Sequence, residues 1–215
     1  MVGYNALFKV CLFADKDVGK KTLAKSNFLK GHSEGSMRAT GVDYTVKTVE
    51  LHGKIIKLQF WIISDEKYHF QHIWKANIRG SLGVILMYDI TNANSLNMVS
   101  ERCQMVKDWR KAIPILLVGN KIDLEEQREV SKDEVDKFKE DHDISSLMEI
   151  SLKTGENTEK MFMKITDMIL KYLELVEEKV VHIENIFCTK CGTRLLKGAL
   201  FCNNCGRKIK QKIKQ

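Results

Sequence analysis

The sequence has little proline, no long apolar run and no acidic residue near its C-terminus. It contains one proline in 215 residues, and 44% of its residues are hydrophobic, too many for a chain that is disordered throughout. Its longest apolar stretches, 83–88 and 113–119, are far shorter than the ~20 residues that cross a membrane as a helix. The N-terminal residues lack the basic segment and apolar core of a secretory signal peptide. We therefore expect a cytoplasmic protein with no transmembrane span.

The missing acidic residues show where the positive charge lies. Residues 186–215 hold eight Lys and Arg residues and no Asp or Glu, whereas the other residues hold 27 basic and 28 acidic residues, so the formal net charge of +7 comes from this segment. Four of the six cysteines lie in the same segment. This change of composition predicts two domains, one over residues 1–180 and a smaller one over residues 181–215.

The first domain has the pattern of alternating strands and helices. Apolar runs or alternating apolar and polar residues predict strands over 7–13, 42–51, 54–63, 83–90 and 113–118. Helical spacing predicts helices over 20–29, 95–111, 131–141 and 157–181. The pair His52-Gly53 indicates a hairpin, and Ser131 with Glu134 forms a capping-box pattern at a helix start. We expect a mostly parallel α/β sheet with helices on both faces and ligands at the carboxyl ends of its strands.

The loop after the first strand partly fits the phosphate-binding pattern G-x-x-x-x-G-K-[ST]. Gly19 and Lys20 match it, whereas Ala14 replaces the first glycine and Lys21 replaces the hydroxyl residue. The alternative is a strand-to-helix turn that binds no ligand. The candidate nucleotide-binding residues of this loop are Asp17, Val18, Gly19, Lys20, Lys21 and Thr22.

Two later loops carry residues that suit the recognition of a guanine base. Asn120, Lys121 and Asp123 form an N-K-x-D pattern directly after an apolar strand. The Asp123 carboxylate can accept hydrogen bonds from the N1–H and the exocyclic amine of guanine, a pair that adenine lacks. Asn120 would tie neighbouring loops together, and the Lys121 stem would lie over the base. The alternative is a turn with an Asx cap.

The third loop contains Ser151, Leu152 and Lys153 after the next strand. The S-x-K pattern would offer a backbone N–H to guanine O6 and a second lysine stem to the other face of the base. Because two separate segments fit the same base, the guanine interpretation is favoured over an Asx-capped turn.

Four segments, 41–44, 88–91, 120–123 and 151–157, together resemble the Ras superfamily, and its Rab branch most closely, over about residues 5–175. The resemblance implies the P-loop small-GTPase fold, with a six-stranded sheet. It also implies binding of GDP and GTP with Mg²⁺, and a switch that recruits protein effectors or regulators. Leu152 stands where alanine is usual, but only the backbone of that position contacts the base.

The phosphate side departs from the family's pattern. Ala39 aligns with the switch threonine that ligates Mg²⁺, and Ile62 aligns with an acidic residue near the metal. Asp65 and Glu66 align with a glycine near the γ-phosphate and with the glutamine that orients water. With Lys21 in the phosphate loop, every side chain that holds Mg²⁺ in the family is replaced. Since phosphoryl transfer depends on that metal and water, we expect no catalytic residue, doubtful Mg²⁺ binding and slow or absent GTP hydrolysis.

The second domain repeats the pattern F-C-x-x-C-G, with ten residues between the two cysteine pairs. Two C-x-x-C pairs supply four thiolates for a tetrahedral Zn²⁺ ion. The alternative is a pair of disulfides, which is unusual in a chain without an export signal. We therefore predict a structural zinc-ribbon β-hairpin whose metal ligands are Cys188, Cys191, Cys202 and Cys205.

These features predict a guanine-nucleotide-binding, Rab-like regulatory switch or scaffold. The printed sequence ends without a prenylation box, and its basic tail could contact nucleic acid or an anionic surface. Two alternatives stay open. One is a slow, Mg²⁺-dependent GTPase switch, and the other is an interaction module that binds protein or nucleic acid through the zinc ribbon.

Overall fold

A computed structural model describes residues 4–15, 17–25, 42–63, 71–110, 112–181, 191, 204 and 205. The chain divides into two compact units, Met1–Tyr172 and Leu173–Gln215. Among the helices in these described ranges, none combines the length and the apolar character that a membrane span requires.

A single six-stranded sheet organises the first unit. Its strands are β1 (Ala6–Ala14), β2 (Val42–Leu51), β3 (Lys54–Ile63), β4 (Gly83–Asp89), β5 (Ile115–Asn120) and β6 (Ser146–Ile150). The spatial order is β2-β3-β1-β4-β5-β6, and every neighbouring pair is parallel except the β2–β3 hairpin. The predicted six-stranded, mostly parallel sheet of a small-GTPase fold is confirmed.

Five α-helices and one 3₁₀ helix lie in the described ranges. The α-helices are α1 (Lys20–Lys25), α2 (Gln71–Ile78), α3 (Ala93–Trp109), α4 (Lys132–Asp141) and α5 (Thr158–Val181). The 3₁₀ helix covers Ile122–Gln127, between β5 and α4. The part of the first predicted helix beyond residue 25 lies outside the described residues.

Local side-chain chemistry explains several element ends. Helix α3 begins two residues earlier than predicted because the Asn92 side chain accepts a hydrogen bond from the Asn94 N–H at 3.0 Å. Ser131 caps α4 as predicted, accepting from the Glu134 N–H at 3.2 Å. The hairpin at His52 and Gly53 has positive φ angles of 51° and 70°, which suit the tight turn that joins two strands.

One predicted strand was displaced by two residues. The apolar run predicted a strand over 113–118, whereas β5 covers Ile115–Asn120. Pro114 has no N–H to contribute to a ladder, and it supplies only its carbonyl, which accepts from the Val84 N–H at 3.0 Å. The shift matters because it places Asn120 at the last position of the strand rather than in the following loop.

Apolar side chains cover both faces of the central strands. All residues of β4 and β5 are buried, as expected for parallel strands with helices on both sides. On one face α3 contributes Leu96, Val99, Cys103 and Val106 to a core with β4 and β5. On the other face α5 lies close to β4, where a Cβ at Gly83 would be 3.0 Å from the Ile169 side chain. The central strands are therefore packed from both sides.

We expect Phe162→Ala to lower the free energy of unfolding by about 3–5 kcal/mol, because it opens a cavity in a packed core. Phe162 is fully buried, and its ring meets Phe60 edge-on with centroids 5.4 Å apart. Met163 is the next residue of α5 and is 44% exposed, so Met163→Ala is a matched control that should change stability by less than about 0.5 kcal/mol. Urea unfolding monitored by circular dichroism compares the two. Equal losses in both variants would contradict this description of the core.

Candidate functional site

The predicted base and phosphate residues lie at the carboxyl ends of β1, β5 and β6 and in the segments that follow these strands. The Asn120 side chain joins all three. Its Nδ2 donates to the Val18 carbonyl at 2.7 Å, and its Oδ1 accepts from the Leu152 N–H at 3.0 Å. Asn120 is only 3% exposed, so both bonds are shielded from water and neither backbone group would find another partner easily. The predicted role of Asn120 in tying the loops together is confirmed.

Gly19 makes this arrangement possible. A Cβ at Gly19 would lie 2.4 Å from Asn120 Nδ2 and 3.1 Å from Leu152 Cδ1. Its φ of +119° is also a conformation that residues with side chains rarely adopt. Glycine is therefore favoured at position 19 because the Asn120 amide approaches the loop after β1 closely.

Lys20 begins α1, and its ammonium group turns back over the same loop. Its Nζ donates to the Ala14 carbonyl at 2.8 Å, so the loop folds around the lysine stem. Asp17 is exposed with φ 64°, Val18 is buried and Thr22 is exposed. The side chain of Lys21, the remaining predicted residue of this loop, lies outside the described residues.

Asp123 is held by the loop that follows β6. Its Oδ1 accepts from the Ser151 hydroxyl at 2.6 Å, and its Oδ2 lies 3.6 Å from Lys153 Nζ. The Ser151 hydrogen bond lowers the pKa of Asp123, and Lys153 adds to this effect. Asp123 is therefore ionised at neutral pH and offers only acceptors, and this state is lost as the pH falls through its lowered pKa.

Lys121 is oriented by a carboxylate that sequence reasoning did not assign. Its Nζ lies 2.5 Å from Asp89 Oδ2, and its backbone is left-handed with φ 75°. Asp89 is 5% exposed, and its other oxygen accepts from the Thr91 N–H and hydroxyl at 3.0 and 2.8 Å. The sequence feature that could have indicated this pair is the position of Asp89 at the end of a predicted strand. Asp89 and Asn120 are register partners in β4 and β5, and Lys121 is the next residue after Asn120.

The position where the family carries an acidic residue near its metal is apolar here. Ile62 is fully buried in β3, beside Leu12 of β1. In the ranges that the structure describes, no group of three or more His, Cys, Asp or Glu residues could hold a metal ion. Ala39, Asp65 and Glu66 lie outside those ranges.

Two of the four predicted zinc ligands fall among the described residues. Cys191 lies in a turn and is exposed, and Cys205 lies in a second turn and is half-buried. Cys188 and Cys202 lie outside the described residues, so the proposed metal geometry rests on the sequence pattern.

Comparison with known proteins identifies the family of this chain. Residues 9–171 match the sequence model of the Ras family, and residues 187–209 match that of a zinc-ribbon domain. Ras-related protein Rab-10 of Diplobatis ommata is 33% identical over 195 residues, which cover 90% of this chain and 96% of the relative. Ras-related protein Rab-30 of Homo sapiens is 38% identical over 168 residues, covering 77% and 81%. The chain therefore belongs to the Ras family and resembles its Rab proteins, and its residues 187–209 resemble a zinc-ribbon domain.

Proposed function

We propose that this protein binds guanine nucleotides and acts as a Rab-like regulatory switch or scaffold with little or no GTP hydrolysis. The observation that supports this most directly is the joined set of loops around Asn120, with the Asp123 carboxylate held at its rim. A surface turn with an Asx cap would not need a buried amide that bridges two other loops.

The proposed base contacts follow from the donors and acceptors on these loops. Asp123 accepts from the N1–H and the exocyclic amine of guanine. The Leu152 N–H, which donates to Asn120 Oδ1 at 3.0 Å, is the donor for guanine O6 and would be shared between the two acceptors. The stems of Lys121 and Lys153 cover the two faces of the base. Because Lys153 is 78% exposed, it is free to move onto a bound base at small cost.

The phosphate contacts are proposed to come from the loop after β1. Lys20 supplies a positive charge, and Lys21 supplies a second in the place of the usual hydroxyl residue. One ammonium near 4 Å from a phosphate contributes about 4 kcal/mol at an effective dielectric of 20, before desolvation is subtracted. We therefore propose that lysines replace part of the attraction of Mg²⁺ for a diphosphate, whereas Asp17 and Asp65 disfavour a third phosphate.

The C-terminal domain is proposed to be a structural zinc site. Four thiolates complete a closed tetrahedral shell and leave no position for a substrate, so the metal would stabilise the ribbon rather than catalyse a reaction. The basic tail that follows it is proposed to contact protein, nucleic acid or an anionic surface. We also propose a cytoplasmic location.

The base assignment predicts that GDP binds at least 100-fold more tightly than ADP, because adenine would leave the Asp123 acceptors unpaired. Asp123→Asn should shift the preference toward xanthosine diphosphate, whose 2-oxo group accepts where guanine donates. Asp141→Asn, at an exposed position at the end of α4, is the control and should leave the preference unchanged. Isothermal titration calorimetry measures the nucleotide affinities of the native protein and of the two variants. Equal affinity of the native protein for ADP and GDP would rule out this assignment.

The phosphate assignment predicts that GDP affinity changes less than about threefold when EDTA replaces Mg²⁺, and that GTP binds no tighter than GDP. Combining Ile62→Asp, Asp65→Gly and Lys21→Ser should restore Mg²⁺ dependence, whereas each change alone should not, because a metal needs its whole ligand shell. Fluorescent GDP displacement and a phosphate-release assay measure binding and hydrolysis. Mg²⁺-dependent turnover by the native protein, at the rate of an ordinary small GTPase, would instead support the slow-switch alternative.

The zinc assignment predicts one Zn²⁺ ion per chain in protein purified under reducing conditions. Cys188→Ser and Cys205→Ser should each remove the metal, since three thiolates hold it far less tightly than four. Cys103→Ser is the control, because Cys103 is buried in α3 far along the chain from the C-x-x-C pairs. Elemental analysis gives the metal content, and circular dichroism shows whether residues 1–180 stay folded. Absence of zinc from the reduced native protein would contradict the assignment.

A further inference from the structure

Arg128 lies between two loops that carry the base-recognition residues, and every one of its donors is used. An arginine side chain has five N–H donors. Two of them bond Glu149 in a forked pair, Nη1 to Oε1 and Nη2 to Oε2, each at 2.8 Å. Two others bond Glu125, Nε at 2.9 Å and Nη2 at 2.7 Å, and the last bonds the Val130 carbonyl at 3.1 Å. No donor is left over for a ligand.

The two carboxylates that bond Arg128 lie close in sequence to different base-recognition residues. Glu125 lies on the 3₁₀ helix two residues after Asp123, and Glu149 lies in β6 two residues before Ser151. The Arg128 side chain is 13% exposed and that of Glu149 is 22% exposed. A forked, largely buried pair of this kind fixes both direction and distance. Arg128 therefore links the segment that carries Asp123 to the strand that leads to Ser151.

Glu149 accepts a further, longer hydrogen bond on the same oxygen that Arg128 Nη1 bonds. The Tyr88 hydroxyl donates to Glu149 Oε1 at 3.5 Å, from the strand β4 that lies two strands away from β6. A Cβ at Gly119 would lie 2.6 Å from the Tyr88 hydroxyl oxygen, so the glycine in β5 leaves the path from Tyr88 to Glu149 open. Burial and the nearby Glu149 raise the pKa of Tyr88, so its hydroxyl keeps the proton that it donates.

We propose that the Arg128–Glu149 ion pair is a positioning device for guanine selectivity, which holds Asp123 and the Ser151 loop at the spacing that the base requires. Arg128 touches neither base nor phosphate in this role, because its donors are already occupied. The inference rests on the proposed function, since it concerns the selectivity of that same site. It predicts that breaking the pair relaxes the choice of base and does more than lower stability.

The test compares GDP with inosine diphosphate, which lacks the 2-amino group that Asp123 would accept from. Glu149→Gln should release fluorescent GDP roughly tenfold faster, the loss expected for one hydrogen bond to a charged group. The ratio of the GDP and inosine diphosphate dissociation constants should move toward one by a similar factor. Glu126→Gln is the matched control, because Glu126 is exposed on the same 3₁₀ helix outside the ion pair, and it should match the native protein in both measurements.

A second variant covers the case in which Glu149→Gln does not fold. Arg128→Lys keeps the charge but loses the fork, and it should show a partial change of the ratio in the same direction. The thermal midpoint of each nucleotide-free variant separates the two roles, because a purely structural role would lower the midpoint and leave the ratio at its native value. That result in a folded variant would overturn the positioning role while the proposed function stands. Absence of GDP binding by the native protein would overturn both.

Discussion

The structure of the candidate site depends on one buried side-chain amide. Asn120 uses its donor on the loop after β1 and its acceptor on the loop after β6, so three loops that are far apart in sequence become one surface. A residue of another type would leave two backbone groups unpaired away from water, each costing about 1–3 kcal/mol. The bridge also explains Gly19, since the amide fills the space that a Cβ would need.

The base end and the phosphate end of the candidate site differ in which of the expected polar side chains are present and held in place. At the base end, two polar side chains already have a partner that fixes their direction: Ser151 holds Asp123, and Asp89 holds Lys121. Such pre-formed contacts lower the entropy cost of binding. At the phosphate end, the family's acidic position is occupied by Ile62, which is packed into the core with no exposed surface. A hydrated metal has no ligand at that position.

Sequence reasoning predicted the mixed sheet and most elements because their signals are local. Apolar runs gave β4 and β5, the His52-Gly53 pair gave the hairpin, and Ser131 gave the start of α4. It misplaced the start of β5, which begins after Pro114 because proline has no N–H to donate. It also missed the Lys121–Asp89 ion pair, because that pair depends on the register of two strands. The Arg128–Glu149 pair, separated by 21 residues, carried no signal of its own in a single sequence.

The difference between the base end and the phosphate end affects which nucleotides the protein could distinguish. A pocket that satisfies a base through fixed hydrogen bonds discriminates strongly against a base that leaves them unpaired, by about 10⁴-fold or more where such sites have been characterised. Discrimination between two and three phosphates needs groups that respond to the added charge, and here an apolar residue and carboxylates replace them. Under the proposed function, the signal is therefore whether a guanine nucleotide is bound. A third phosphate would then have few groups through which to favour one conformation of the protein over another, because a ligand shifts a conformational equilibrium only by its differential affinity for the two conformations.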